Sequence, residues 1–189
     1  MVSLEKVKDH YKILQSAFTC KNATNPTFIE NEFNKIINEH LSISENILYR
    51  GLSIKEILHT QFEIGQTIKL NRITSFSEDL KISEDYASNE YGTFCLFTID
   101  NMVGFNYTKH MANVLKEMIN LEYDANKNVA DLVAVTDYMS DQLSMINEEK
   151  EWMVESGREF LIKDIKYRSR FDMSKEFTII ELSEISHYV

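Results

Sequence analysis

A change of apolar periodicity near residue 47 constrains the fold of this chain more than any other feature. Before that point the apolar residues recur at helical spacing. Leu4, Val7, Tyr11, Leu14 and Phe18 lie on one stripe with charged residues between them. A second helix is predicted from Asn25-Pro26, with Asn as its cap and Pro in the first turn. Its apolar face is Ile29, Phe33, Ile36, Ile37 and Leu41, and residues 42–45 break the pattern. After residue 47 the apolar runs are short and mixed in character. Residues 47–52 read as a short strand, 54–59 as a short helix, and 63–77 as two extended pieces around Asn71-Arg72. Residues 82–89 read as helical, and 93–99 are apolar enough for a buried strand. An amphipathic helix is expected over 110–120 with Met111, Val114, Leu115 and Met118 on one face, whereas 121–148 fits either helix or loop. The end of the chain is rich in strands, at 152–154, 160–167 and 177–182. Helices followed by strands without regular alternation point to an α+β fold. The expected organisation is a single domain over 1–189, with 1–45 a helical N-terminal region.

Several function classes are disfavoured by composition. A net charge of −10 argues against a nucleic-acid surface, which needs a basic patch. The same charge suits a soluble protein that approaches basic partners. Cys20 and Cys95 make no disulfide framework, and the five histidines (10, 40, 59, 110 and 187) are scattered without ligand spacing, so no metal is expected. Charges at Glu5, Lys6, Lys8, Asp9 and Lys12 exclude a signal-peptide core, and no apolar run reaches membrane-spanning length. A soluble, cytoplasmic protein is expected. The five glycines form neither G-x-G-x-x-G nor a P-loop.

Three short motifs carry the chemistry. Tyr49-Arg50-Gly51 puts an arginine inside an apolar strand. By itself this fits a salt-bridged edge residue, but a guanidinium also binds a pyrophosphate bidentately, and a following glycine admits a ligand close to the backbone. In Thr74-Ser75-Phe76-Ser77 the two serines share one strand face with Phe76 turned to the core. Glu149-Lys150-Glu151-Trp152 reads as the start of a strand, with the two carboxylates on one face about 7 Å apart. Such a pair is costly unless a cationic centre or a basic partner needs it.

Arginine, then Ser-x-Ser, then Glu-x-Glu, in that chain order, resembles the arginine–serine–glutamate class of mono-ADP-ribosyltransferases, and in detail the Mod group of T-even bacteriophages. The likeness rests on Leu48-Tyr49-Arg50-Gly51, Arg72-Ile73-Thr74-Ser75-Phe76-Ser77, Phe105-Asn106-Tyr107 and Glu149-Lys150-Glu151-Trp152-Met153, with Gly157 and Phe160 after them. It spans residues 30–182. It implies a split pair of antiparallel sheets flanked by helices, with NAD as co-substrate in the cleft between them. Arg50 would hold the NAD phosphates, and the Gly51 backbone would bond the nicotinamide amide. Ser75 would orient Glu151, with Ser77 beside it at the cofactor. Glu151 would bind the nicotinamide-ribose 2′-hydroxyl. An aromatic after the serine motif commonly packs on the cofactor in this family, which makes Tyr86, Tyr91 and Phe94 candidates. A loop over 136–148, with Tyr138 and Met139 as contacts, would face the protein substrate.

The same resemblance assigns Glu149 to the acceptor. A guanidinium is always protonated, so a second carboxylate is needed to grip it and take its proton. The expected activity is transfer of ADP-ribose from NAD to arginines of host proteins, among them basic translation or transcription components. The alternatives are an NAD glycohydrolase and a silent acidic protein that binds a basic host factor.

Overall fold

The computed structural model describes residues 3–16, 28–53, 61–87, 94–125, 129–169 and 176–185. Five helices are seen among them: α1 (Leu4–Gln15), α2 (Phe28–Glu39), α3 (Leu80–Ala87), α4 (Tyr107–Ala125) and α5 (Val129–Glu149). The strands are β1 (Leu41–Ile43), β2 (Leu48–Gly51), β3 (Thr67–Lys69), β4 (Thr74–Ser77), β5 (Phe94–Ile99), β6 (Val103–Asn106), β7 (Glu151–Val154), β8 (Glu159–Ser169) and β9 (Glu176–Glu184). The expected α+β class is what forms. The helix expected over 54–59 and the cap at Asn25-Pro26 lie outside the described residues.

The strands run in the order β1-β6-β7-β4-β2-β5-β9-β8-β3. Within that row, β4 and β2 meet through one residue pair, Tyr49 opposite Ser77. The sheet is thus two halves, of four strands and five, sharing a narrow seam. Pairing is antiparallel throughout except between β5 and β9, which run parallel over six residue pairs. The expectation of antiparallel halves therefore fails at that one junction. The parallel neighbour reaches β5 from the far end of the chain, and both faces of β5 are covered, as its apolar run demands.

Alternation along β7 divides the core. Met153 points to a cluster built with Leu14 of α1, Phe33 of α2, Phe105 of β6 and Leu115 of α4. Trp152 and Val154 point to the other side, among Phe76, Phe97, Phe160 and Ile180. The α1 stripe read from sequence is the buried one, with Val7, Tyr11 and Leu14 inside. Ser3 caps this helix by accepting the Lys6 N–H at 3.4 Å.

A buried arginine fastens the far end of the molecule. Arg158 is 0 % exposed. Its Nε and Nη2 donate to the two carboxylate oxygens of Glu155 at 2.7 and 2.9 Å, and Nη1 donates to Glu184 Oε2 at 3.2 Å. Glu184 Oε1 in turn accepts the Val103 N–H at 3.0 Å. The β7–β8 turn, β9 and β6 are joined by this network. Gly157, at φ +91°, makes the turn possible because a side chain there would be strained.

Three histidines distant in sequence meet on the helical side. His10 (α1) and His110 (α4) approach at 2.9 Å between their Nε2 atoms, and the His40 ring lies 4.5 Å from that of His110. Burial, then His40 and His10, push the His110 imidazole down to about 4. Burial and then His40 lower His10, against the opposing pull of Glu117 and Glu39. A histidine held neutral in the fold but free to protonate when unfolded stabilises fully above its ordinary value near 6.5. That contribution should decline as pH falls from about 6.5 towards about 4. Urea melts across this range should lose midpoint with acid, and the His110→Phe variant should lose less.

Candidate active site

The three motifs fall side by side. Tyr49 on β2 faces Ser77 on β4, and Ser77 faces Glu151 on β7, so the three residues form one row across the strands. Adjacent strands lie about 4.8 Å apart, which brings the start of β7 within about 10 Å of β2. Arg50 crosses the seam, its Nη1 donating to the Ser75 carbonyl at 3.1 Å. The arginine motif and the serine motif are thereby tied together.

The strand expected from residue 149 is overturned at its first two positions. Glu149 is the last residue of α5, Lys150 turns the chain at φ +45°, and Glu151 is the first residue of β7. The carboxylates flank a left-handed helix-to-strand turn and do not alternate along a strand. A residue in this conformation commonly ends helices, though usually as Gly or Asn.

The last carbonyls of a helix lack intrahelical partners, and here neighbouring elements supply them. The Ser77 hydroxyl donates to the Glu149 carbonyl at 2.7 Å, and Ser77 Oγ also accepts the Asp79 N–H at 2.9 Å. The Glu78 N–H donates to the Lys150 carbonyl at 3.1 Å. Thr108 donates its hydroxyl to the Ile146 carbonyl at 3.2 Å and accepts the Glu151 N–H at 2.7 Å. β4, the residue that follows it and α4 therefore fix the turn through its backbone. Thr108 was not among the expected residues, and nothing local in the sequence marks it.

Both serines share the strand face of Glu151. Ser75 stands opposite Met153, and Ser77 is the one opposite Glu151. Glu151 is 6% exposed and its Oε2 atom is screened from solvent without a hydrogen bond. The fields of both acids converge on two tyrosines. Tyr107 is pushed up by burial, then by Glu151 and Glu149. Tyr86 is pushed up by burial, then by Glu149 and Glu151.

Among the three candidate aromatics, Tyr86 is placed at this site. It is 69% exposed on α3, whose backbone lies directly over Gly51. Phe94 is corrected to a core residue, 2% exposed and packed with Ala87 and Leu96. Tyr91 lies outside the described residues. Gly51 has a packing reason for its identity: a Cβ there would sit 2.1 Å from the Ser83 carbonyl oxygen and 2.5 Å from the Ala87 nitrogen. The space beside it belongs to α3, and the expected closeness of a ligand to this backbone is not what excludes a side chain.

The substrate loop expected over 136–148 is part of α5. Met139 is 5% exposed in the helical core, which removes it from any substrate surface. Tyr138 is half exposed and hydrogen-bonds the phenol of Tyr11. Among the described residues, no group of three or more His, Cys, Asp and Glu is arranged to hold a metal ion, and no helix is long and apolar enough to cross a membrane.

This geometry has counterparts among known proteins. The family model described as bacteriophage T4 Mod ADP-ribosyltransferase matches residues 6–185. The NAD–protein ADP-ribosyltransferase modB of Enterobacteria phage T4 is 26% identical over 188 residues, covering 94% of this chain and 89% of that protein. The Vis toxin, an ADP-ribosyltransferase from Vibrio splendidus, superposes with a TM-score of 0.50 at 14% identity, over 95% of this chain and 75% of that one. At that identity the Vis likeness speaks to the fold.

Proposed function

The chain belongs to the Mod ADP-ribosyltransferase family and uses NAD as co-substrate, and on that premise we propose that it transfers ADP-ribose to arginine side chains of host proteins. The observation that carries the arginine assignment is the placing of Glu149. It ends α5 two residues before Glu151, with both acids acting on Tyr86 and Tyr107.

The chemistry divides between the two acids. Breaking the bond between the ribose C1′ and nicotinamide sends the electron pair to the departing pyridine and leaves an oxocarbenium-like centre. Glu151 accepts a hydrogen bond from the ribose 2′-hydroxyl and stabilises the developing positive charge from a buried position. Arg50 binds the NAD phosphates, and Ser75, whose carbonyl Arg50 already holds, lines the same cleft. Tyr86 offers its ring to the cofactor from α3. A guanidinium nitrogen of the acceptor then forms the new bond to C1′ and gives its proton to Glu149. Ser77 acts through the backbone: its hydroxyl holds the Glu149 carbonyl and so sets where the helix ends.

The net charge of −10 supports targets that are basic overall, such as translation or transcription components of the infected bacterium, whose cytoplasm is then the site of action.

Glu149→Ala tests the division. Arginine modification should fall by about 10²-fold or more, as expected for losing a general base, with NAD hydrolysis largely retained. Assaying both with labelled NAD decides the matter. Equal loss of the two activities sinks the split roles, and hydrolysis alone in the unaltered protein would make it a glycohydrolase.

A further inference from the structure

We propose that a basic pocket beside the Glu149–Glu151 turn receives a carboxylate of the acceptor protein that lies close in sequence to the modified arginine. The proposal rests on the arginine reading above and deepens it. The pocket holds about 330 Å³ and is lined by Lys109, Asn113 and Lys116 of α4, by Asn147 and Lys150 at the end of α5, and by Glu78. In a chain of net charge −10, three lysines on one small concavity run against the general field.

Three other lining groups, Glu78, Thr108 and Asn106, are already engaged. Glu78 accepts the Trp152 indole N–H at 2.7 Å through one oxygen and the Asn46 amide at 3.1 Å through the other. The Thr108 hydroxyl is committed to Ile146, and Asn106 caps α4 by accepting the Lys109 N–H at 2.9 Å. The ion pairs formed among the described residues do not use Lys109, Lys116 or Lys150.

Lys109 also sits in the first turn of α4, where the helix dipole disfavours a cation. An anion bound in a pocket lined by these three lysines is favoured by their charge and by the α4 dipole. The volume suits one or two side chains and is too small for a folded surface. Lys150 lines the pocket and follows Glu149 directly in the chain, so a guanidinium held by Glu149 has the pocket within a few residues of extended chain, at about 3.3 Å each. Long-range attraction of a basic target and short-range reading of one acidic neighbour are compatible, because the first acts over the whole surface and the second over a single contact.

The test uses single-arginine peptides in which a glutamate, or the matching glutamine, is scanned on either side of the arginine. A favoured glutamate position should raise kcat/KM about five-fold over glutamine, the scale of one partly exposed ion pair. The Lys109→Gln/Lys116→Gln double variant should treat the two peptides alike, while its NAD hydrolysis and its turnover of butylguanidine stay unchanged. In the unaltered protein the preference should vanish at about 1 M salt, where charges are screened within about 3 Å. Equal rates on glutamate and glutamine peptides, from enzyme that does modify butylguanidine, would overturn the pocket alone. A preference that survives the double substitution would overturn it as well. Failure to modify butylguanidine at all would remove the arginine reading, and the pocket with it.

Discussion

Replacing Glu151 by Gln should abolish ADP-ribose transfer and NAD hydrolysis together, each by about 10²- to 10⁴-fold, the range for losing a positioned charge or general base. The substitution keeps the shape of the side chain and removes its charge. Because Glu151 is 6% exposed and the substitution preserves its shape, near-UV circular dichroism of the variant should match that of the parent. NAD binding should survive, since the phosphates are assigned to Arg50. Trp152, the one tryptophan of the sequence, adjoins Glu151 and is 4% exposed, so its fluorescence can follow NAD titration in active and inactive proteins alike. Loss of transfer with hydrolysis intact would reverse the roles given to the two acids. Loss of folding would show that Glu151 is a structural residue first.

The second large effect concerns stability. Arg158→Met should lower the unfolding free energy by about 3–5 kcal/mol, because it leaves two acids in a largely buried setting without their counter-charge. Glu155 and Glu184 are 12% and 13% exposed in their side chains, so water cannot substitute for the guanidinium. Burial raises Glu184 even with Arg158 beside it, the arginine and the Val103 N–H pulling the other way. Combining Arg158→Met with Glu155→Gln and Glu184→Gln should recover much of the loss, since a neutral network carries less uncompensated charge. Chemical denaturation of the single and triple variants measures both. A single variant within about 1 kcal/mol of the parent would show that these groups reach solvent on removal of the arginine.

Much of this was legible where the signal is local. The α1 stripe is buried as read, and the apolar run of β5 proves central because no amphipathic alternation is needed in a strand covered on both faces. The motif order was legible too, although it took the family likeness to join Arg50, Ser75 and Glu151 into one site. Glu149 was misplaced for a physical reason. Helices that end in a left-handed residue advertise it with Gly or Asn, whereas here Lys150 takes that conformation, held by contacts from β4 and α4. The alternating Glu-Lys-Glu-Trp pattern then fits a strand equally well. Met139 followed the same error, because a loop would expose it and a helix buries it. The pairing of β1 with β6 and of β9 with β5 depends on partners more than fifty residues away, as does the meeting of His10, His40 and His110. No window along the chain contains that information.

The seam between the sheet halves has a mechanical meaning. One backbone residue pair and the Arg50–Ser75 hydrogen bond join them, and the paired residue on the β4 side is Ser77, whose hydroxyl also grips the end of α5. Were the halves to spread, the Ser77 hydroxyl would pull on the carbonyl of Glu149. The Ser77 hydroxyl thus ties the pairing of the two sheet halves to the position at which α5 ends.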